Sequence, residues 1–178
     1  ALSGDGGRIE TSGHYVDVQG LQVDTSASAV GRAGLWLLDP SDISIVDSGT
    51  STVNPLTSTF IAGTSSTILT SQINTALANG NVSITTNDGS IVFTGSISIN
   101  QGSRSLSLSA SNLVNISGSI TNASGSGASG SRSLDLNITS GSGSSVFSGE
   151  FRSSGTLTKN GAGTLVLSGT NSYFTGKT

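Results

Sequence analysis

The chain has 178 residues, of which 10% are charged and 4% aromatic, with 25 glycines, no cysteine and a net charge of −3 at neutral pH. A pI near 4.8 and cations scattered singly along the chain leave no basic footprint for nucleic acid or an anionic membrane surface. The lack of Cys excludes disulfides and thiolate metal sites, and alternating Val, Ile and Leu throughout argue against an unfolded Gly/Ser linker.

From Gly7 to Val46 the sequence reads as short strands broken by turns. Ile9 and Thr11, Tyr15 to Val18, Leu21 to Val23, Leu35 to Leu38 and Ile43 to Val46 are the strands; Gly13, Gly20, Gly31, Gly34 and Asp39-Pro40 punctuate them. Segments this short need neighbours stacked above and below. Trp36 lies between Leu35 and Leu37, so in a strand it faces away from them, and a core or end-packing position accounts for it more simply than an exposed, carbohydrate-stacking one.

Residues 48–80 read as a loop followed by a short helix. Ser48 to Thr67 is uncharged and rich in Ser and Thr, with Pro55, and is expected to connect rather than to pair. Over residues 71–79 Ile73 and Leu77 share one helical face, Ser71 is placed to cap the start, and Asn79-Gly80 to stop the end.

Residues 81–154 carry the repeat. Val82/Ile84, Ile91/Phe93, Ile97/Ile99, Leu106/Leu108, Val114/Ile116 and Leu134/Leu136/Ile138 alternate with polar residues, as half-buried strands do. An apolar-Ser/Thr-Gly-x-apolar phrase recurs as Phe93-Thr94-Gly95-Ser96-Ile97, Ile116-Ser117-Gly118-Ser119-Ile120 and Phe147-Ser148-Gly149-Glu150-Phe151. It reads as a corner at which Gly turns the chain, since Gly tolerates positive φ. A second phrase, Gly102-Ser103-Arg104-Ser105-Leu106-Ser107-Leu108, returns as Gly130-Ser131-Arg132-Ser133-Leu134-Asp135-Leu136, matching Leu106 to Leu134. Other matches, Val82 to Leu106 and Ile97 to Ile120, are shorter steps, so Thr121 to Ser131 reads as a Gly/Ser insertion and an exposed candidate surface. Recurrence on this scale marks a stacked-repeat architecture of about seven or eight rungs.

Two stretches carry a family resemblance. Gly7-Arg8-Ile9-Glu10-Thr11-Ser12-Gly13, Val23-Asp24-Thr25-Ser26-Ala27 and above all Trp36-Leu37-Leu38-Asp39-Pro40-Ser41-Asp42-Ile43 resemble the large exoproteins of two-partner secretion, of the filamentous-haemagglutinin and high-molecular-weight-adhesin type. Residues 155–178, with Gly161-Ala162-Gly163-Thr164-Leu165-Val166-Leu167-Ser168-Gly169, resemble the autotransporter-associated β-strand repeat, departing from it at Phe174. The resemblance implies an all-β chain folded as a right-handed parallel β-helix, secreted to a bacterial cell surface. It implies an outer-membrane two-partner transporter as secretion partner, and as receptor a host-cell or matrix glycan or protein, or other bacterial cells. The module by which such proteins are recognised by the transporter has no full copy in this sequence; Asn54-Pro55-Leu56 is only a fragment of such a motif.

Candidate chemistry is sparse. His14 is the only histidine, and a turn or surface position accounts for it more simply than a Ser-His-Asp set among so many serines. Asp39, Asp42 and Asp47 are the densest acids, as polysaccharide-cleaving β-helices require, yet Asp39-Pro40-Ser41-Asp42 is first of all turn chemistry. Asn81, Asn115, Asn122 and Asn137 open Asn-x-Ser/Thr sequons and are candidate N-glycosylation sites, Asn122 the most accessible of them. No cofactor, metal or nucleic-acid motif is present, and no apolar run reaches the about 20 residues of a membrane span.

The expectation is therefore one β-helical segment of a longer chain, divided as exoprotein-like rungs (1–47), loop and helix (48–80), repeat rungs (81–154) and an autotransporter-type repeat (155–178). Its expected role is that of a non-enzymatic adhesive stalk in host contact or biofilm. Two other readings stay open: the stalk of a contact-dependent two-partner toxin, and a carbohydrate-active β-helix enzyme.

Overall fold

The computed structural model describes residues 4–12, 22–27, 31–39, 42–49, 66–99, 102–122 and 133–169. These form fifteen strands and one helix, and every strand pairing is parallel. The first sheet contains β1 (Arg8–Ser12), β2 (Leu35–Asp39), β5 (Asn81–Thr86), β8 (Ser103–Ala110), β11 (Ser133–Ser140) and β14 (Leu157–Asn160), side by side in that order. The second runs β4 (Ser66–Leu69), β3 (Ile43–Val46), β6 (Ile91–Phe93), β9 (Val114–Ile116), β12 (Ser144–Phe147) and β15 (Thr164–Leu167). The third holds β7 (Ile97–Ile99), β10 (Ile120–Asn122) and β13 (Phe151–Arg152). From β5 onward the chain visits first, second and third sheet in turn, so each pass lies one strand above the last.

Alternation explains the core. In β5, β8 and β11 the residues at every second position, Val82/Ile84, Leu106/Leu108 and Leu134/Leu136/Ile138, are buried; Val82, Leu106 and Leu136 stack in register, as do Ile84, Leu108 and Ile138, while Leu134 lies opposite Arg104. Ile91/Phe93, Val114/Ile116 and Phe147 join from the second sheet, and Ile97/Ile99, Ile120 and Phe151 from the third, as one continuous cluster. Trp36 is 1% exposed, and its indole N–H donates to the Thr11 hydroxyl at 3.2 Å, so it is a core residue near the lower end.

The recurring phrase is the corner between second and third sheets. At each level two successive N–H groups donate to one carbonyl below: Thr94 and Gly95 to Ile45, Ser117 and Gly118 to Phe93, Ser148 and Gly149 to Ile116, Ser168 and Gly169 to Phe147, all at 2.8–3.2 Å. A Cβ on Gly118 would stand 1.7 Å from the Gly95 carbonyl oxygen, and one on Gly149 1.8 Å from that of Gly118. These corner glycines do not have positive φ, contrary to the expectation; Gly102, Gly143 and Gly161, at other turns, do. The corner excludes a side chain because successive backbones touch there.

Several expected boundaries move. Ser66–Leu69, read as the end of a loop and the approach to the helix, is β4, and it pairs with β3 on the side away from β6. The chain thus drops back to the level of β1 before rising through α1 (Thr70–Asn79) to β5. Ser71 does not cap α1: it lies inside the helix, and the Gln72 side chain accepts the Leu69 N–H instead. Gly80 ends the helix in an extended conformation, its N–H on Ala76. Gln22–Ala27 carries no strand, although Val23 and Thr25 are buried. Tyr15–Val18, Leu21, His14 and Asn54-Pro55-Leu56 lie outside the described residues.

The second phrase misleads the register by two. β8 and β11 align Ser103 with Ser133 and Leu106 with Leu136, not with Leu134. A slip of two preserves which residues face inward, so Ser-Arg-Ser-Leu similarity alone cannot choose between them. The insertion is shorter at its start than expected, because Thr121 and Asn122 belong to β10; residues 123–132 lie outside the described set. Among the described residues the deepest stacks hold six strands rather than seven or eight. Trp36 on β2 pairs directly with Val82 on β5, so among the described residues β4 and α1 add no strand to the first sheet.

Candidate functional site

The broadest organised surface is the outer face of the first sheet. Strands carry their inward aliphatics at alternate positions, so the intervening residues point out, and parallel register lines them up across the sheet. One such column runs Glu10, Leu37, Ser83, Ser107, Asn137, Thr158; its neighbour runs Arg8, Leu35, Asn81, Ser105, Asp135, Thr156. Rows repeat about every 4.8 Å between strands and about 6.6 Å along them. From β5 upward this face is hydroxyl and amide with Asp135 as its acid. At its lower end Arg8 and Glu10 pair at 3.6 Å, both well exposed. The outer face of the second sheet differs: Val92, Val146 and Val166, 42%, 36% and 46% exposed, share one column with Asn115 between the first two.

The acids expected to matter are engaged structurally. Asp42 Oδ1 accepts the Ser90 N–H at 2.7 Å, and Asp47 Oδ1 accepts the Ser96 N–H at 2.6 Å and the Thr70 hydroxyl at 2.8 Å. Those donors, the Ser96 N–H first, hold the Asp47 carboxyl below the usual carboxylate range. Asp39 ends β2, and its side chain is outside the described set. The same device recurs along the molecule: Asp5 takes the N–H of Arg32, Asn74 of Ser98, Asn81 of Ser105, Asn115 of Val146 and Asp135 of Thr156, at 2.7–3.1 Å. In every case a side-chain oxygen from one level takes an N–H from the level above, at places where the backbone ladder lacks an acceptor. The signal was legible as Asp or Asn immediately before an alternating run, as in Asp42-Ile43, Asn81-Val82 and Asp135-Leu136.

The sequons separate on this geometry. Asn81 and Asn115 accept through Oδ1, which leaves Nδ2, the atom a glycan would occupy, outside those two bonds. Asn137 donates through Nδ2 to the Ser107 hydroxyl at 3.3 Å, so a glycan there competes with a cross-strand bond. All three are half-buried on outer faces; Asn122 ends β10, and its side chain is outside the described set.

No protein-family model, curated protein or solved structure matches the chain. The site is therefore read from its own geometry.

A smaller feature lies where α1 replaces a strand beneath β7. A groove of about 340 Å³ opens there, lined by Asn74, Thr75, Leu77, Ala78, Asn79, Ser98 and Ile99. Arg104 closes the helix end beside it, Nε donating to the Leu77 carbonyl at 2.8 Å and one terminal nitrogen to Ala78 at 3.0 Å. It thereby satisfies carbonyls that a helix terminus leaves open, with a charge of the favourable sign. Sequence reading gave no hint of the groove, because it depends on the helix and β7 meeting across a turn of the chain. Among the described residues no group of three or more His, Cys, Asp or Glu could hold a metal ion, and no helix is long and apolar enough to cross a membrane.

Proposed function

We propose that the chain is a structural and adhesive segment of a bacterial surface exoprotein, its three parallel sheets being the faces of a right-handed β-helix. Cyclic visits to three sheets, parallel register and a single aliphatic column support that architecture, and the hand follows from the strong preference of parallel crossovers. Adhesion is then mechanical and polyvalent. The rod holds the hydroxyl and amide columns of the first sheet in fixed spacing, and many weak contacts to a host-cell, matrix or bacterial surface add through effective concentration. The single observation that carries this reading is the in-register outer column Ser83–Ser107–Asn137–Thr158 on a continuous, largely uncharged sheet. Delivery through an outer-membrane two-partner transporter belongs to the same proposal and rests on the resemblance of residues 7–43.

A carbohydrate-cleaving site is not favoured, because Asp42 and Asp47 accept backbone N–H groups from the level above. The experiment is surface binding by the purified segment in monomeric and tethered multivalent form. Binding to glycan or matrix arrays is expected only when multivalent, and to fall when Ser83, Ser107 and Thr158 are changed together to Lys with the fold intact. Equal binding by that variant, or turnover of a polysaccharide, overturns the reading.

A further inference from the structure

We infer that Asn160-Gly161 is a self-acting deamidation site, activated by Lys159. The turn leaving β14 exposes both residues, and Gly161 holds φ at +80°. The Gly161 main-chain nitrogen attacks Asn160 Cγ: the N–Cγ bond forms, the Cγ–Nδ2 bond breaks, and Nδ2 leaves as ammonia with the proton that the peptide nitrogen gives up. Water then opens the resulting succinimide at Cγ, yielding Asp, or at the main-chain carbonyl carbon, yielding isoaspartate. The sum is amide plus water to acid plus ammonia, with no oxidant, metal or cofactor.

The difficult step is loss of the Gly161 amide proton, since a neutral peptide nitrogen is a poor nucleophile. The charge that develops is shared with the Asn160 carbonyl oxygen, because the two atoms belong to one conjugated peptide unit. Lys159 Nζ donates to that oxygen and, at 3.3 Å, to the carbonyl of Gly161. A cation bonded there favours the deprotonated peptide and so the attack.

The protein contains its own comparison. Asn79-Gly80 is the same dipeptide at the end of α1, but there the Gly80 N–H is held on the Ala76 carbonyl at 2.8 Å and Asn79 Nδ2 donates to Thr75 at 3.3 Å. Both nitrogens of the reaction are occupied, Gly80 is buried, and the nearby Arg104 fork lies on the Leu77 and Ala78 carbonyls rather than on that of Asn79. Folding therefore protects one site and leaves the other reactive. Conversion at Asn160 adds a negative charge beside Lys159 at the upper end of the first sheet, and the isoaspartate form lengthens the backbone where β14 leaves it.

The test is timed incubation of the folded protein at mildly alkaline pH, with peptide mapping by mass spectrometry and enzymatic labelling of isoaspartate. Asn160 is expected to convert at least about tenfold faster than Asn79, the two rates converging in urea. Lys159→Met should slow Asn160 several-fold and leave Asn79 unchanged, while Lys159→Arg keeps most of the rate and the rise with pH. Equal conversion of the two sites in the folded chain overturns the site. An unchanged rate in Lys159→Met, with circular dichroism as in the parent, overturns the activation.

Discussion

Replacing Gly118 by Ala tests the corner on which the stacking depends. The added Cβ would lie 1.7 Å from the Gly95 carbonyl oxygen, where ordinary contact begins at 3.4 Å, and the obstacle is backbone, which cannot rotate aside. Moving apart requires lengthening the Ser117 and Gly118 bonds to Phe93, now 2.9 and 3.2 Å. Losing both costs about 1–3 kcal/mol, and the strain of overpacking adds about 1–3 kcal/mol. The sum, about 2–6 kcal/mol, is a large fraction of the stability of a typical domain, about 5–15 kcal/mol. Urea unfolding followed by far-ultraviolet circular dichroism reads it directly: at a slope of about 2 kcal/mol/M the midpoint should fall by about 1–3 M. Gly7→Ala is the control, because a Cβ there meets nothing within 4 Å, and it should stay within about 0.5 kcal/mol of the parent. A Gly118→Ala midpoint indistinguishable from that of Gly7→Ala would refute the close-approach account of the corner.

Arg104→Ala should lower stability by about 1.5–3 kcal/mol, the range for hydrogen bonds to a charged group, with hydrogen exchange rising first in α1. The Asp47 carboxyl is depressed in the folded state, so its contribution is complete above the unfolded value of about 3.9 and is lost as pH falls through the lower folded value. Melting temperature should accordingly decline on acidification, and Asp47→Asn, which keeps an oxygen for the Ser96 N–H, should flatten that part of the profile. Thr11→Ala should remove the indole bond of Trp36 and cost about 1 kcal/mol, while the single-tryptophan emission stays blue-shifted and resists acrylamide quenching. Asn115→Ala should cost about 1 kcal/mol, and Asn115→Asp much less, since both Asn and Asp offer an oxygen to the Val146 N–H.

The sequence made the parallel strands legible because their evidence is local: Val82/Ile84, Leu106/Leu108 and Val114/Ile116 alternate over a few residues, and the steps from Val82 to Leu106 and from Ile97 to Ile120 are the observed registers. The helix was legible through Ile73 and Leu77, both fully buried. What failed was non-local. Ser66-Thr67-Ile68-Leu69 offers only two inward positions, and its partner β3 lies one level above it and well before it in the chain, so nothing nearby marks it as a strand. The two-residue error between β8 and β11 arose because Ser at alternating outer positions looks alike in either register. The hydroxyl columns were partly visible as composition, but their alignment depends on register and so on the structure. Of the acids read as candidate chemistry, Asp42 and Asp47 accept N–H groups from the next level, a role that depends on the neighbouring pass.

The backward step of β4 limits the order in which the molecule can be completed. A simple stack can be built from its first residue, each pass finding a finished surface below. Here, among the described residues, the lower edge of β3 is covered by Ser66–Leu69 and the underside of β7 by α1. During synthesis from the N-terminus, residues up to 79 must have emerged before β3 and β7 are covered from below. Everything above, from β5 upward, can then be laid down one pass at a time. The first stable intermediate is thus predicted to be large, with a long silent interval before it, and truncations ending before α1 should remain unfolded while those ending after β10 should fold.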